Sequence, residues 1–556
     1  MARTLESLLD RVERVSGMPA RHAVPALLGG TALQVAVLGM YWDVGYHVDH
    51  GRDQGVFTVP HMCIVVGLQL IAVAALVHGR LRGDGGRGDR RIGALGLWMS
   101  PGGLVMLVCG SVALLGFPLD AVWHALFGED VTLWGPTHLL MIGGAGLSTL
   151  GLWMLVRQGF EVGRPRRIAR RVHARVTGAL LIGLSTFQAE FDFGVPQFQL
   201  LFPPVLIALA AACALVCARS LLGPWGAFRA LGMFLVIRGV LALFVGVVAG
   251  YTTPHFPLYV AEAAVVELAA LAFARRPLAF ALAAGAGIGT VGLAAEWGWS
   301  HVWMAHPWPA SMLGAAGPLA LVAGLGGAVL GARISQSLAL EGSDRAALPP
   351  IPAAAVATAA VALLAALALP LPRTGGDGTR AAIVPRSAGA GAVDVAVTLD
   401  PPAAARHAQW FEVLSWQGRT PGHTRQITRL RRVGAGRYVG ERAVPVGGNW
   451  KSMVRLARGS HLMGLPVFLP PSPQSGRPGV PVAPRSGVLT SDTFLLQREA
   501  TGGPAWLQTA AYAVLAAIVA VWLALVAWAL GLAEPRDGAR VRGTLRRPWP
   551  PPAAHA

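Results

Sequence analysis

The sequence predicts an all-α polytopic membrane bundle of about twelve transmembrane helices, with an extracytoplasmic β-sandwich inserted before the last of them. Three observations carry this. The 556 residues are 54% hydrophobic and only 13% charged, against roughly 25% charged in soluble globular domains. Apolar runs of about 20 residues, long enough to cross a bilayer, recur along the chain. One long polar stretch, 373–504, interrupts them near the C-terminal end.

Residues 1–23 carry mixed charge, precede the first apolar run and show no cleavage pattern, so they read as a cytoplasmic amphipathic N-terminus. Residues 24–371 hold eleven expected spans: 24–46, 58–79, 93–117, 133–156, 174–193, 197–218, 226–250, 256–274, 277–297, 308–332 and 351–371. A Gly/Pro/Arg-rich linker follows at 372–392, then the β-sandwich at 393–504. There Val393, Val395, Val397 and Leu399 alternate with other residues, as do positions from Tyr438 to Val446, the period of half-buried strands. The last span is 505–532, and 533–556 is a basic cytoplasmic tail.

Arginine sets the orientation. Arg80, Arg82, Arg87, Arg90 and Arg91, then Arg157 to Arg175, Arg219 and Arg229, Arg275 and Arg276, Arg333 and Arg345 fall in alternate connections, together with both termini. The other short connections carry only Arg52. The positive-inside rule puts both termini in the cytoplasm, and the even span count agrees; the expected location is the plasma (inner) membrane, as a multi-pass protein. The formal charge of +18 is therefore a topology signal, and no nucleic-acid partner is expected; the lipid bilayer is. Cys63, Cys109, Cys213 and Cys217 all lie in apolar segments, which excludes a disulfide framework in the β-sandwich.

The first outward hairpin carries Asp43, His47, Gly51, Asp53 and His61; the second carries Asp120, His124, Gly128, Asp130 and His138. Both read Asp-x3-His-x3-Gly-x-Asp-x7-His, an internal repeat matched at every one of its five positions. Asp and His four apart share one face of a helix end. The second His opens the returning helix, so three side chains can converge across one hairpin. Two imidazoles and a carboxylate suit copper, zinc, iron or manganese. Duplication of a purely structural hydrogen-bonded triad would leave the same pattern.

The other outward ends also carry acid or imidazole: Glu190 and Asp192, His255 and Glu262, then Glu296, His301 and His306. They are candidates for an outer shell around the triads or for a second metal site. Arg238 and Glu267 fall near the middle of spans seven and eight and are expected to form a buried ion pair, with an ion or proton relay as the rival role. In the polar domain His407, His423, His461 and Met463 are soft or imidazole candidates against a background of ordinary surface residues.

The stretch Asp120-x-x-Trp123-His124 with Pro136-x-His138 resembles the metal motif in the C subunit of copper membrane monooxygenases, where Asp-x3-His precedes a second His about a dozen residues on. Here the second gap is slightly longer, the motif is duplicated, and the likeness covers about 20 residues per copy. The chain also resembles a group of actinobacterial multi-pass membrane proteins with Asp-x-x-Trp-His and Pro-x-His hairpins. Gly434 to Gly440 and Pro445 to Trp450 resemble the YtkA/FixH-like β-sandwich, which accompanies copper handling and oxidase assembly. The resemblances imply copper as cofactor before zinc, iron or haem, and an extracytoplasmic copper chaperone or redox protein as partner. The expected function is copper acquisition, delivery or resistance. A copper-dependent membrane oxidoreductase of monooxygenase type and a secondary transporter of another solute are the alternatives.

Overall fold

The computed structural model describes residues 2–50, 56–81, 92–94, 97–127, 132–163, 166–195, 202–339, 348–349, 351–368, 377–420, 423–459, 461–471, 478–492 and 503–533. Asp53, Asp130, Arg52, Gly51, Gly128, the arginines at 82–91, Arg164, Arg345, the first part of the linker, the side chain of His423 and the basic tail lie outside them.

Among the described residues nine helices are long and apolar enough to cross a membrane, which makes the chain a membrane protein. They are Ala20–His50, Val59–Arg80, Pro101–Phe127, Pro136–Val162, Phe202–Leu222, Gly226–Val248, Pro277–Trp303, Ala310–Leu338 and Trp506–Leu532. The expected count of about twelve is not reached by this measure, for three physical reasons. The helix meant to span 174–193 starts at Arg166, stops at Ser185 and gives way to a 3-10 turn, Thr186–Gln188, and a short helix, Ala189–Asp192. The helix at 256–274 shrinks to Val260–Phe273, about 21 Å long at 1.5 Å per residue, because an extended segment precedes it. The eleventh is the short apolar helix Ala353–Ala368.

In chain order the helices are α1 (Ala2–Ser16), α2 (Ala20–His50), α3 (Val59–Arg80), α4 (Pro101–Phe127), α5 (Pro136–Val162), α6 (Arg166–Ser185), α7 (Ala189–Asp192), α8 (Phe202–Leu222), α9 (Gly226–Leu243), α10 (Val260–Phe273), α11 (Pro277–Gly287), α12 (Leu293–Trp303), α13 (Leu313–Leu338), α14 (Ala353–Ala368) and α15 (Ala505–Ala533). A short hairpin, β1 (Ile92–Ala94) with β2 (Leu97–Met99), takes the start of the expected span 93–117. Helices α2 with α3 and α4 with α5 form two antiparallel hairpins held at close range by small residues. A Cβ on Gly67 would lie 2.6 Å from the backbone nitrogen of Ala36, and one on Gly144 2.5 Å from the carbonyl of Cys109. Helix α8 is the buried axis of the bundle: Ala211, Ala212, Ala214 and Leu215 through Ala218 have no exposed surface.

Two helices pass through π-helical turns, Phe244–Val248 after α9 and Ile288–Gly292 between α11 and α12. Between the first of these turns and α10 the chain is extended, and backbone groups inside a bundle must find partners. Buried carboxylates supply them. Thr252 donates through its backbone N and hydroxyl to Asp49 at 2.7 and 2.6 Å, and Tyr259 N donates to Glu296 at 2.9 Å. His255 N donates to the carbonyl of Asp192 at 2.7 Å.

The polar domain is one sheet in the order β11-β3-β4-β7-β6-β5-β9-β10-β12, with β8 beside β4, and it curls on itself like a barrel. Its strands are β3 (Arg380–Gly389), β4 (Ala392–Asp400), β5 (Trp410–Thr420), β6 (His423–Gly434), β7 (Arg437–Gly440), β8 (Val444–Pro445), β9 (Lys451–Arg458), β10 (His461–Phe468), β11 (Arg485–Val488) and β12 (Thr490–Ser491). Val393, Val395, Val397 and Leu399 alternate into its core with Val454, Leu456 and Met463. The second half of the expected linker is strand β3, because Ala381 and Ile383 bury there and β3 pairs with both β4 and β11.

The β domain rests on the bundle. His306 Nε2 bonds both oxygens of Glu412 on β5 at 2.9 Å, and Arg425 on β6 donates to the carbonyl of Gly194 at 3.3 Å. Gly45 of α2 abuts Phe193, so this contact lies at the same end of the bundle as the first triad.

Two candidate metal centres

Each triad is assembled by one hairpin. Helix α2 runs on to His50, so Asp43 and His47 stand one turn apart on one face; α4 runs to Phe127 and does the same for Asp120 and His124. The returning helices α3 and α5 start at Val59 and Pro136, and each has proline in its first turn, where a missing N–H costs nothing. That places His61 and His138 in the first turn, opposite the carboxylates.

The result is two matching groups. Asp43 Oδ1 lies 3.1 Å from His61 Nε2 and 3.5 Å from His47 Nε2. Asp120 Oδ2 lies 3.1 Å from His124 Nε2, and its Oδ1 lies 3.4 Å from His138 Nε2. In each group the three ligand atoms fall within 4.8 Å of one another. The groups are partly buried, with side-chain exposures from 14% to 29%, which leaves a face of each within reach of solvent.

The outer nitrogens of the returning histidines decide the chemistry. His61 Nδ1 is 2.9 Å from the carbonyl of Val56, and His138 Nδ1 is 3.2 Å from the carbonyl of Thr132. A carbonyl only accepts, so each Nδ1 carries the proton and donates. The neutral ring then turns the lone pair of Nε2 toward a carboxylate oxygen, acceptor against acceptor. Only a proton or a metal cation between them makes that arrangement favourable. A ring N–H that donates to a backbone carbonyl is the usual outer-shell anchor of a metal-ligating histidine.

Comparisons of the chain with known protein families, with curated proteins and with solved structures return no match. The geometry therefore stands alone.

The two centres differ in support. Thr137 donates to Asp120 Oδ1 at 2.5 Å, whereas the matching residue in the first hairpin is Pro60, which has no hydroxyl. Glu190 accepts from the Thr132 hydroxyl at 2.5 Å and from Leu133 N at 2.6 Å, and so pins the loop whose carbonyl holds His138. Thr132 and Thr137 are missed by reading ligand types alone; Thr137 stands beside a predicted ligand in the Pro-Thr-His run. Glu190→Ala is expected to leave the first centre intact and weaken metal binding at the second about 10- to 100-fold. Titration with the first centre removed checks this, and an unchanged affinity would disconnect Glu190 from the site.

The other predicted residues converge on neither triad. Asp192 is fully buried and pairs with Arg238 at 2.5 Å, with Tyr41 donating at 3.1 Å and Gln188 at 3.3 Å. The expected Arg238–Glu267 pair is thus replaced by two others. The break after α6 brings Asp192 inward to Arg238, and Glu267 instead meets Arg219 at 2.7 Å and accepts from the N–H groups of Trp225 and Ala227 at the start of α9. The guanidinium of Arg238 also lies 4.0 Å over the ring of Tyr41.

Glu262 and Glu296 face each other between α10 and α12, away from the triads. His255 packs against Trp299 and Trp303; its burial, and then the nearby Arg425, hold its imidazole below the ordinary histidine pKa. His301 bonds the carbonyl of Trp297 one turn back at 2.8 Å on the exposed side. His306 belongs to the contact with Glu412. Met463 is wholly buried in the β core, so its sulfur packs there rather than facing a metal, and neither His407 nor His461 joins a metal-competent group among the described residues.

Proposed function

We propose that this protein binds copper at the two Asp/His/His hairpins, on the extracytoplasmic face of a plasma membrane, for copper acquisition, delivery or resistance. The observation that carries the reading is the pair of returning histidines with Nδ1 on a carbonyl and Nε2 aimed at a carboxylate. Asp43, His47 and His61 would hold one ion, and Asp120, His124 and His138 the other. Among first-row divalent ions a nitrogen and oxygen set of this kind holds copper most tightly. The positive-inside arrangement of the arginines, with both termini cytoplasmic, supports the outward placement. The resemblances to copper monooxygenase and YtkA/FixH-like sequences point the same way, and an extracytoplasmic copper chaperone or redox protein is the matching partner.

Three protein ligands leave coordination positions open at each ion. That favours a second reading, a copper-dependent oxidoreductase, in which the same six residues hold a redox centre. Transport of another solute past Arg238 is disfavoured, because Asp192 pairs with its guanidinium and the ring of Tyr41 stacks under it.

Electron paramagnetic resonance of protein purified from copper-supplied membranes tests the metal. The expected spectrum is that of copper(II) with two nitrogen ligands. Protein that takes up zinc and no copper under competition would overturn the copper assignment and leave the metal site standing. Reversible bleaching of the signal with turnover of a reductant would favour the enzyme over the carrier.

A further inference from the structure

A groove of about 650 Å³ opens between α1, α2, α3, α5, α6 and α9, within the roughly 300–1,000 Å³ of ordinary small-molecule sites. Its wall along α5 runs from His138 to Val156, about 27 Å at 1.5 Å per residue and so close to the thickness of a bilayer core. Most of the lining is apolar, from Leu33 and Val37 on α2 to Met141 and Ile142 on α5, with Thr31, Gln34 and Thr149 as polar interruptions. Helix α1 roofs the end away from the triads, and Leu8 and Val15 there remain 54% and 69% exposed, as an interfacial amphipathic helix leaves them.

That same mouth is basic. Arg11 of α1 and Arg175 of α6 both line it, at the end the arginine distribution assigns to the cytoplasm. An apolar trough with two guanidinium groups at one mouth matches one chemistry, an anionic head group carrying hydrocarbon chains. We infer that the groove is a binding site for an anionic phospholipid of the cytoplasmic leaflet, its head on Arg11 and Arg175 and its acyl chains along α2 and α5. The inference stands whether or not the two centres hold metal; His138 of the second centre marks the far end of the groove.

Gly30 lines the groove, and a Cβ added there meets nothing within 4 Å, so a bulky residue can fill the trough without displacing protein. Native mass spectrometry of the full chain with phosphatidylglycerol, phosphatidylcholine and inorganic phosphate as probes tests the site. Phosphatidylglycerol is expected to bind with about a thirtyfold preference over phosphatidylcholine, about fivefold for each arginine. Arg11→Gln/Arg175→Gln should abolish the preference, and Gly30→Phe should abolish the binding, with the gel-filtration profile and thermal unfolding temperature of both variants unchanged as a check of folding. Equal binding of the two lipids, or binding that survives Gly30→Phe, overturns the inference. So does displacement of the lipid by inorganic phosphate, which would leave an anion site without a place for the chains.

Discussion

Asp120→Ala is expected to empty the second centre while the first stays loaded. Asp120 is the one side chain that touches everything in that group: one oxygen meets His124, the other meets His138 and the Thr137 hydroxyl. Its loss removes the negative charge and the third ligand together and leaves two imidazoles with centroids 5.8 Å apart. Affinity at that centre should fall by more than the 10- to 100-fold, approximately, that follows loss of an outer-shell partner. Thr137→Val, which removes only such a partner, should fall inside that range. Calorimetric titration of each variant separates the two, and an Asp120→Ala protein that still takes up two ions would remove the carboxylate from the ligand set.

Arg238→Met is expected to destabilise the bundle by about 3–5 kcal/mol, the cost of leaving a buried charge unpaired. Asp192 has no exposed surface, and Arg238 is 1% exposed, so water cannot replace the lost partner. Removing both charges, as Arg238→Met with Asp192→Leu, should recover part of the loss, because burying the pair itself costs desolvation that apolar residues do not. Recovery stays partial, since Tyr41 and Gln188 also donate to Asp192. Denaturant titration of the single and double variants gives the coupling. A single variant as stable as the parent would mean that the pair contributes nothing to the fold.

The triads were legible because their contacts are local. A four-residue step on a helix and a return across one turn bring Asp43, His47 and His61 together without help from distant chain. Arg238 pairs with Asp192 rather than Glu267, which counting apolar runs misses by treating every span as continuous. The helix breaks between Ser185 and Ala189, and this draws Asp192 and Gln188 into the bundle and frees Glu267 to cap α9. The same continuity assumption lengthened the helix before Phe273 and hid the extended segment that Asp49 and Glu296 satisfy. Strand β3 was concealed by Arg380, Pro385 and Arg386, whose composition reads as linker until β4 and β11 flank it. The contact of His306 with Glu412 joins residues far apart in the chain, and no spacing rule reaches it.

Each hairpin is proposed to hold one metal ion. Elemental analysis of detergent-purified protein, loaded and then washed, counts the ions in the parent, His47→Ala, His124→Ala and the double variant. The geometry predicts two ions per chain in the parent, one in each single variant and none in the double variant. Metal content that is the same in all four proteins would contradict it.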